Sequence, residues 1–509
     1  MNLGLLRRVV LPVVVVLAVA GIYGLASISH HGSKAPRRPA AASRVNVSSA
    51  VRVCPAPGSV GPTASALAVA AVPGSAKAGS AVVTGLSPIG SPSTGVVLAT
   101  LTRPGVLQAP TVGVAPPLTP AEQAGQAGSS PSVRTQGARG GVQVSATGAL
   151  AQGLEVEQTG PGGLVSAQCG APGTSFWFAG PGQKSAGTIV LYLTNTGDTP
   201  ADAQVQVLTD ASKGPPVLGN ADNGITVPPH GMVVQSLGGL LQGSGIMALN
   251  VSTTVGQVAA SVRESTAAGQ AGSWLPALQP PARHLVIPGL PGEPGSRDLY
   301  IAVPGTAAAQ VKITAVTQRG SYQPTGGTGI DLLSGSVSDI PLPSLGGVAG
   351  ALSISSSVPV VAAMLVSGGP AGSAGALAAS AGPVLEQGVL AANPAGATGS
   401  GLVLSAPGKA ASVRITTATS TTPASAATGQ VVQIPAKSSV VVPARPPAGT
   451  RASQFMLVVT PLPGSGPVYG GRVISAGGSV LSIMPVPSSL TWIPLPGVSE
   501  SVAAILGSS

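Results

Sequence analysis

Hydrophobic positions are arranged in two ways along this chain. Residues 9–28 (VVLPVVVVLAVAGIYGLASI) form an almost unbroken apolar run. At about 1.5 Å per residue such a run, if helical, spans about 30 Å, the thickness of a bilayer's hydrocarbon core. Beyond it the pattern changes to short stretches that alternate apolar and polar residues, the signature of half-buried strands. Such stretches lie at Ser49 to Val53, Ser65 to Val72, Ala81 to Thr84, Val96 to Thr102, Val142 to Thr147, Gly153 to Gln158 and Leu164 to Gln168. Gly224 to Val227, Met232 to Gln235 and Ile246 to Thr254 continue the pattern. After residue 30 the only helix-like candidate is Leu118 to Ala127, and Gly125 weakens it.

The alternating stretches recur. Ala203-Gln-Val-Gln-Val207 returns as Ala309-Gln-Val-Lys-Ile313 and, more weakly, as Ala411-Ser-Val-Arg-Ile415. A second landmark follows in each unit: Val258-Ala-Ala-Ser-Val262, Val361-Ala-Ala-Met-Leu365 and Tyr469-Gly-Gly-Arg-Val473. Its small residues allow chains or sheets to approach closely. A repeat of about 100 residues with several short strands and no helical period fits an immunoglobulin-like sandwich. The expected fold class is therefore all-β, with tandem immunoglobulin-like β-sandwich modules after an N-terminal transmembrane helix. The expected organisation is a cytoplasmic tail (1–8), a signal-anchor (9–28) and a Pro/basic stalk (29–48). Residues 49–275 then hold N-terminal strands plus a first sandwich, with a loop insertion at 103–141. A second sandwich occupies 283–368, a third 383–490, and a C-terminal tail 491–509.

Arg7 and Arg8 precede the apolar run and favour a cytoplasmic N-terminus. Gly24-Leu25-Ala26 offers small residues for cleavage, so a secreted product after signal removal is the alternative to a single-pass membrane protein. Either way the bulk of the chain lies outside the cytoplasm. The net charge of +10 does not indicate nucleic acid, because it is unevenly spread. Residues 1–44 hold six basic and no acidic residues, whereas residues 45–509 hold 18 basic and 14 acidic. The cluster Lys34, Arg37, Arg38 and Arg44 reads either as a solvated stalk or as a contact for anionic headgroups or acidic wall polymers.

The 72 glycines and 50 prolines mark many turns, yet the chain is apolar enough to fold. Cys54 and Cys169 are the only cysteines, and in an oxidising compartment an even pair is expected to bond. Two free buried thiols are the other reading.

Candidate chemistry is sparse. His30, His31, His230 and His284 show no zinc spacing. Asp198, Asp202, Asp210 and Asp222 could line a calcium site, though they match no calcium-loop spacing and read equally as solvated loop acids. Glu155 and Glu157 fall on one face of a strand; paired carboxylates serve glycoside hydrolysis, but nothing in the sequence places a cleft beside them. Aromatic residues make up 2% of the chain, which disfavours a broad sugar-stacking platform. Phe176-Trp177-Phe178 stands apart: it reads as core packing beside Cys169, or as a contact through Trp177 for a glycan or partner. Trp274 and Trp492 fall near module joints. No catalytic residue, cofactor or metal ligand is assigned.

Several stretches together resemble a known family. They are VCPAPG (Val53 to Gly58), CGAPGTSFWFAG (Cys169 to Gly180), LYLTNTGDTPADAQVQV (Leu191 to Val207), VIPGLPG (Val286 to Gly292) and SSVPVVAAMLVSG (Ser356 to Gly368). In this order they resemble an uncharacterised actinobacterial family of secreted or membrane-anchored proteins, domain of unknown function five-seven-one-nine. The third module lacks the VPVVAA form. The resemblance implies surface biology and no particular activity. The expected function is a non-catalytic cell-envelope scaffold or partner-binding array, not an enzyme. The alternative is a glycan- or wall-polymer-binding accessory to envelope polysaccharide synthesis. Expected partners are the membrane, through the N-terminal helix, and cell-wall polymers or envelope proteins, not nucleic acid.

Overall fold

Beyond the N-terminal run, alternation of side chains dictates strands, and the computed structural model is built of them almost throughout. It describes residues 17–21, 43–55, 66–71, 78–88, 96–102, 107–108, 141–159, 166–213, 217–219, 224–241, 243–265, 273–367, 375–395, 399–419, 429–449, 454–476 and 479–495. Of the apolar run only residues 17–21 are described, and they are helical. No helix among the described residues is long and apolar enough to cross a membrane. The stalk before Ser43, most of the 103–141 insertion, the helix-like stretch at 118–127 and the tail beyond 495 lie outside the described residues.

The chain divides into two units. The smaller comprises Met1–Val45 and Trp492–Ser509. In it the strand Ser43–Asn46 pairs with Trp492–Leu495, and the Arg44 guanidinium lies 4.0 Å from the centre of the Trp492 ring. The larger unit, Asn46–Thr491, contains four pairs of sheets, each pair closed over a shared apolar core.

The first pair is made by the N-terminal strands. One sheet runs Ser49–Cys54, Val142–Gly148, Gly79–Gly85, Val96–Leu101; the other runs Ser166–Gln168, Glu155–Thr159, Ala66–Ala70, Leu107–Gln108. Val144 and Val83 from one sheet meet Leu67, Val69 and Val156 from the other. The span 49–275 thus holds two sheet pairs, and its early strands have a core of their own. They lack the repeat landmarks, which is why the sequence presents them as an extension of the next module. The disulfide Cys54–Cys169 closes this pair, with both sulfur-bearing residues buried in its core.

The three remaining pairs share a plan that the repeats anticipate. In each, the first landmark is a strand between one long partner and one short partner. Ala201–Leu208 lies between Ile246–Val255 and Ile225–Val227. Ala309–Thr317 lies between Gly350–Ser367 and Ile330–Leu332, and Ala411–Ala418 between Gln454–Pro461 and Gln430–Ile434. Val205, Val207, Val311, Ile313 and Val413 point into the cores, as period-two alternation requires. The second landmark lies in the opposite sheet: Ala259–Ser265 on Thr188–Thr194, the end of Gly350–Ser367 on Ser296–Val303, and Tyr469–Ala476 on Gly399–Ala406. In the third pair one 18-residue strand, Gly350–Ser367, serves both sheets.

The four pairs close on one another in a cycle. Val53 and Leu86 of the first meet Ala259 of the second. Trp177, Phe178 and Ala179 of the second share a core with Tyr300, Val361 and Leu377 of the third. Leu285 and Ile287 of the third pack with Val403, Val473 and Ile483 of the fourth. Ala68 and Ala70 of the first then meet Val389, Ala391 and Met456 of the fourth. The small residues of the last landmark do what their size suggests: a Cβ on Gly471 would sit 2.5 Å from the Gly289 Cα.

Candidate functional site

The strand Glu155–Thr159 explains how the cycle closes. It is buried on both faces. Val156 enters the core of the first pair, so period two turns Glu155, Glu157 and Thr159 the other way. That face meets the fourth pair. Glu157 Oε2 lies 3.0 Å from Arg472 Nη1, and Glu157 Oε1 accepts the Ala391 backbone N–H at 2.7 Å. Arg472 also donates to the Ala392 carbonyl and, at 2.6 Å, to Ser166 Oγ. Glu155 accepts from Arg52 Nη2 at 3.1 Å, from Gln168 Nε2 at 3.2 Å and from Ser489 Oγ at 2.9 Å. Gln454 Nε2 reaches Thr159 Oγ1 at 3.4 Å. Backbone bonds from Val47 N to the Thr491 carbonyl and from Gly153 N to the Leu490 carbonyl extend the seam. Both carboxylates are therefore engaged with cations and donors. Glu157 fastens the first pair to the fourth, and Glu155, paired with Arg52, also reaches Ser489 of the fourth.

All four pairs of sheets line one cavity of about 420 Å³. The first and fourth contribute the polar groups Arg52, Glu155, Ser166, Gln168, Ser482 and Ser488, set among Pro55, Ile483 and other apolar residues. The second and third contribute Phe176, Phe178, Trp274, Leu275 and Leu377, and the fourth adds Met484. Trp274 is half-buried. Its ring is held by Tyr192, with centroids 5.2 Å apart and planes tilted by 60°, and by the Arg263 guanidinium 5.9 Å from its centre. Burial raises the Tyr192 pKa, against the opposing pull of Arg263.

A correction concerns Trp177. It is 5% exposed and its backbone carbonyl accepts the Leu278 N–H at 2.8 Å. Its ring is packed in the core shared by the second and third pairs, because its strand, Ser175–Pro181, is covered on both faces along most of its length. It offers no stacking surface to a glycan or a partner. The tryptophan that lines the cavity is Trp274.

The other candidates remain apart. Asp198 contacts His230 Nε2 at 2.8 Å on the surface, Asp202 accepts from Thr226 Oγ1 at 2.7 Å, and Asp210 accepts the Ser212 N–H at 3.1 Å. His284 Nδ1 lies 3.4 Å from Ser355 Oγ. His30, His31 and Asp222 lie outside the described residues. Among the described residues no three His, Cys, Asp or Glu side chains converge in a way that could hold a metal ion.

A second set of acids gathers where the second and third pairs meet. Burial raises the Glu264 carboxyl to about 7, and its Oε2 is buried without a hydrogen-bond partner. Burial also raises Tyr300, helped by the negative fields of Asp339, Asp298 and Glu264. Asp339 is raised by burial and by Asp298.

Fold and cavity together define an all-β protein of serial two-layer modules whose buried charges join the modules. The sequence belongs to DUF5719, a family of unknown function, whose profile matches residues 123–445. No curated protein matches the chain.

Proposed function

We propose that this chain is a non-catalytic, extracytoplasmic protein of the cell envelope. Its immunoglobulin-like modules form a rigid scaffold for a binding partner. The apolar run at 9–28 behind Arg7 and Arg8 serves as its signal-anchor. The observation that carries this reading is the use made of charge. In a charge-poor chain, buried Glu157 pairs with buried Arg472, and buried Glu155 accepts from Ser489, so that the first sheet pair is held to the fourth. A disulfide with buried sulfurs between Cys54 and Cys169 suits an oxidising compartment.

The test is cross-linking in intact cells followed by mass spectrometry, together with protease shaving of the same cells. The expected result is an ectodomain cut from outside and a reproducible cross-linked neighbour. Recovery of the chain in the cytosol, or a turnover abolished by one point mutation, overturns the reading.

A further inference from the structure

We propose that the four-module cavity binds a single-chain amphiphile with an uncharged polar head. Its volume of about 420 Å³ falls within the about 300–1,000 Å³ typical of small-molecule sites. Its walls differ in chemistry. Phe176, Trp274, Leu377 and Met484 offer an apolar surface without a charge among them, suited to an alkyl chain. Arg52, Gln168 and Glu155 stand on the wall formed by the first and fourth pairs. Arg52 and Glu155 face each other in a two-point ion pair, with Nε to Oε2 at 3.4 Å and Nη2 to Oε1 at 3.1 Å. Their charges are mutually satisfied. A phosphate or carboxylate head would have to displace Glu155 to reach Arg52, leaving a buried carboxylate without its cation, which is costly. A neutral hydroxylated head can hydrogen-bond to Gln168 and the serines and leave the pair intact. An oligosaccharide fits less well, because Trp274 is the one indole among the lining residues and its apolar companions are aliphatic and phenyl groups.

This inference rests on reading the chain as a binding scaffold, and the experiment separates the two. The full chain is titrated with dibrominated dodecyl maltoside below its micelle concentration, and tryptophan fluorescence is followed. Bromine quenches nearby indoles, so saturable quenching is expected, with most of the amplitude lost in Trp274→Phe. Unbrominated dodecyl maltoside should compete and maltose should not. Ser261→Phe, which fills the cavity, and Ala277→Phe, at an exposed lining position, should each weaken binding by about tenfold or more. Circular dichroism verifies that the variants fold, and the rim variant stands alone if Ser261→Phe does not. Non-saturable quenching, or quenching unchanged by a folded variant, overturns the inference. Competition by maltose overturns it in favour of a glycan ligand. If amphiphile binding fails while cross-linking captures a neighbour, the scaffold reading stands and this inference falls.

Discussion

Arg472 Nη1 lies 3.0 Å from Glu157 Oε2, and the two residues are 315 positions apart in sequence. Both side chains are almost wholly buried, at 1% and 2% exposure. The pair joins the first sheet pair to the last. Burying two charges is expensive, and their attraction repays it only when the remaining polar atoms are also satisfied. Here Ala391 N, Ala392 O and Ser166 Oγ meet most of that need, while Arg472 Nε has no partner. The pair thus does more to specify which modules meet than to add net stability.

Truncating one partner should therefore harm the fold more than removing both. Arg472→Ala leaves Glu157 buried and uncompensated and should cost about 3–5 kcal/mol in guanidinium unfolding. The double variant Glu157→Leu with Arg472→Met should recover much of that loss. A double variant no more stable than Arg472→Ala would show that the pair contributes net stability.

Much of this architecture can be read from local pattern, and its closure cannot. Ala203 to Val207, Ala309 to Ile313 and Ala411 to Ile415 reveal their strands because alternation is local, and their recurrence reveals the shared plan of three modules. The small residues at Tyr469 to Val473 signal a close approach without naming Gly289 as the neighbour. Glu155 and Glu157 are conspicuous as two acids on one face of a strand. Their partners Arg52 and Arg472 carry no local mark, since the contacts join strands 103 and 315 positions away. The same limit explains Trp177 and Trp274. Both are aromatic residues in strands, and only the packing of distant modules decides which is sealed in a core and which lines the cavity.

At the joint of the third and fourth pairs the backbone leaves no room for a methyl group. A Cβ on Gly471 would lie 2.5 Å from Gly289 Cα and 2.8 Å from Gly289 N, atoms that cannot swing aside. Gly471→Ala should destabilise by about 1–3 kcal/mol through overpacking. Gly401, which pairs with Val473 in the same sheet, is the control: its Cβ would meet only Val441 Cγ1, at 3.8 Å. Gly401→Ala should change stability by no more than about 0.5 kcal/mol. Equal effects in thermal unfolding would remove close approach as the explanation.

The disulfide links residues 115 positions apart, and Cys54 and Cys169 are 0% and 1% exposed. Chain-entropy arguments give a loop of this length about 4–5 kcal/mol of stabilisation. The paired substitution Cys54→Ala and Cys169→Ala should lose an amount of that order, concentrated in the first sheet pair. Because neither sulfur is accessible, dithiothreitol should leave the native protein unalkylated by iodoacetamide and allow labelling only after denaturant is added. Rapid labelling of both cysteines in native buffer would contradict the burial.

Glu264 should make stability depend on pH in a sense opposite to that of an ion-paired acid. Its carboxyl titrates at about 7 in the fold, because burial disfavours the charge, against an ordinary value of 4.5. Between those values the folded chain holds a proton that the unfolded chain has released. The contribution to stability is fully present below 4.5 and is lost as pH rises through about 7. The group keeps some contact with solvent, so the effect should be about 1–2 kcal/mol, less than the full shift would imply. Glu264→Gln keeps the shape and removes the titration. Urea unfolding at about pH 5 and about pH 8 should show the natural chain losing this increment and the variant keeping it. A natural chain with the same pH slope as the variant would mean that Glu264 is solvated or paired in solution.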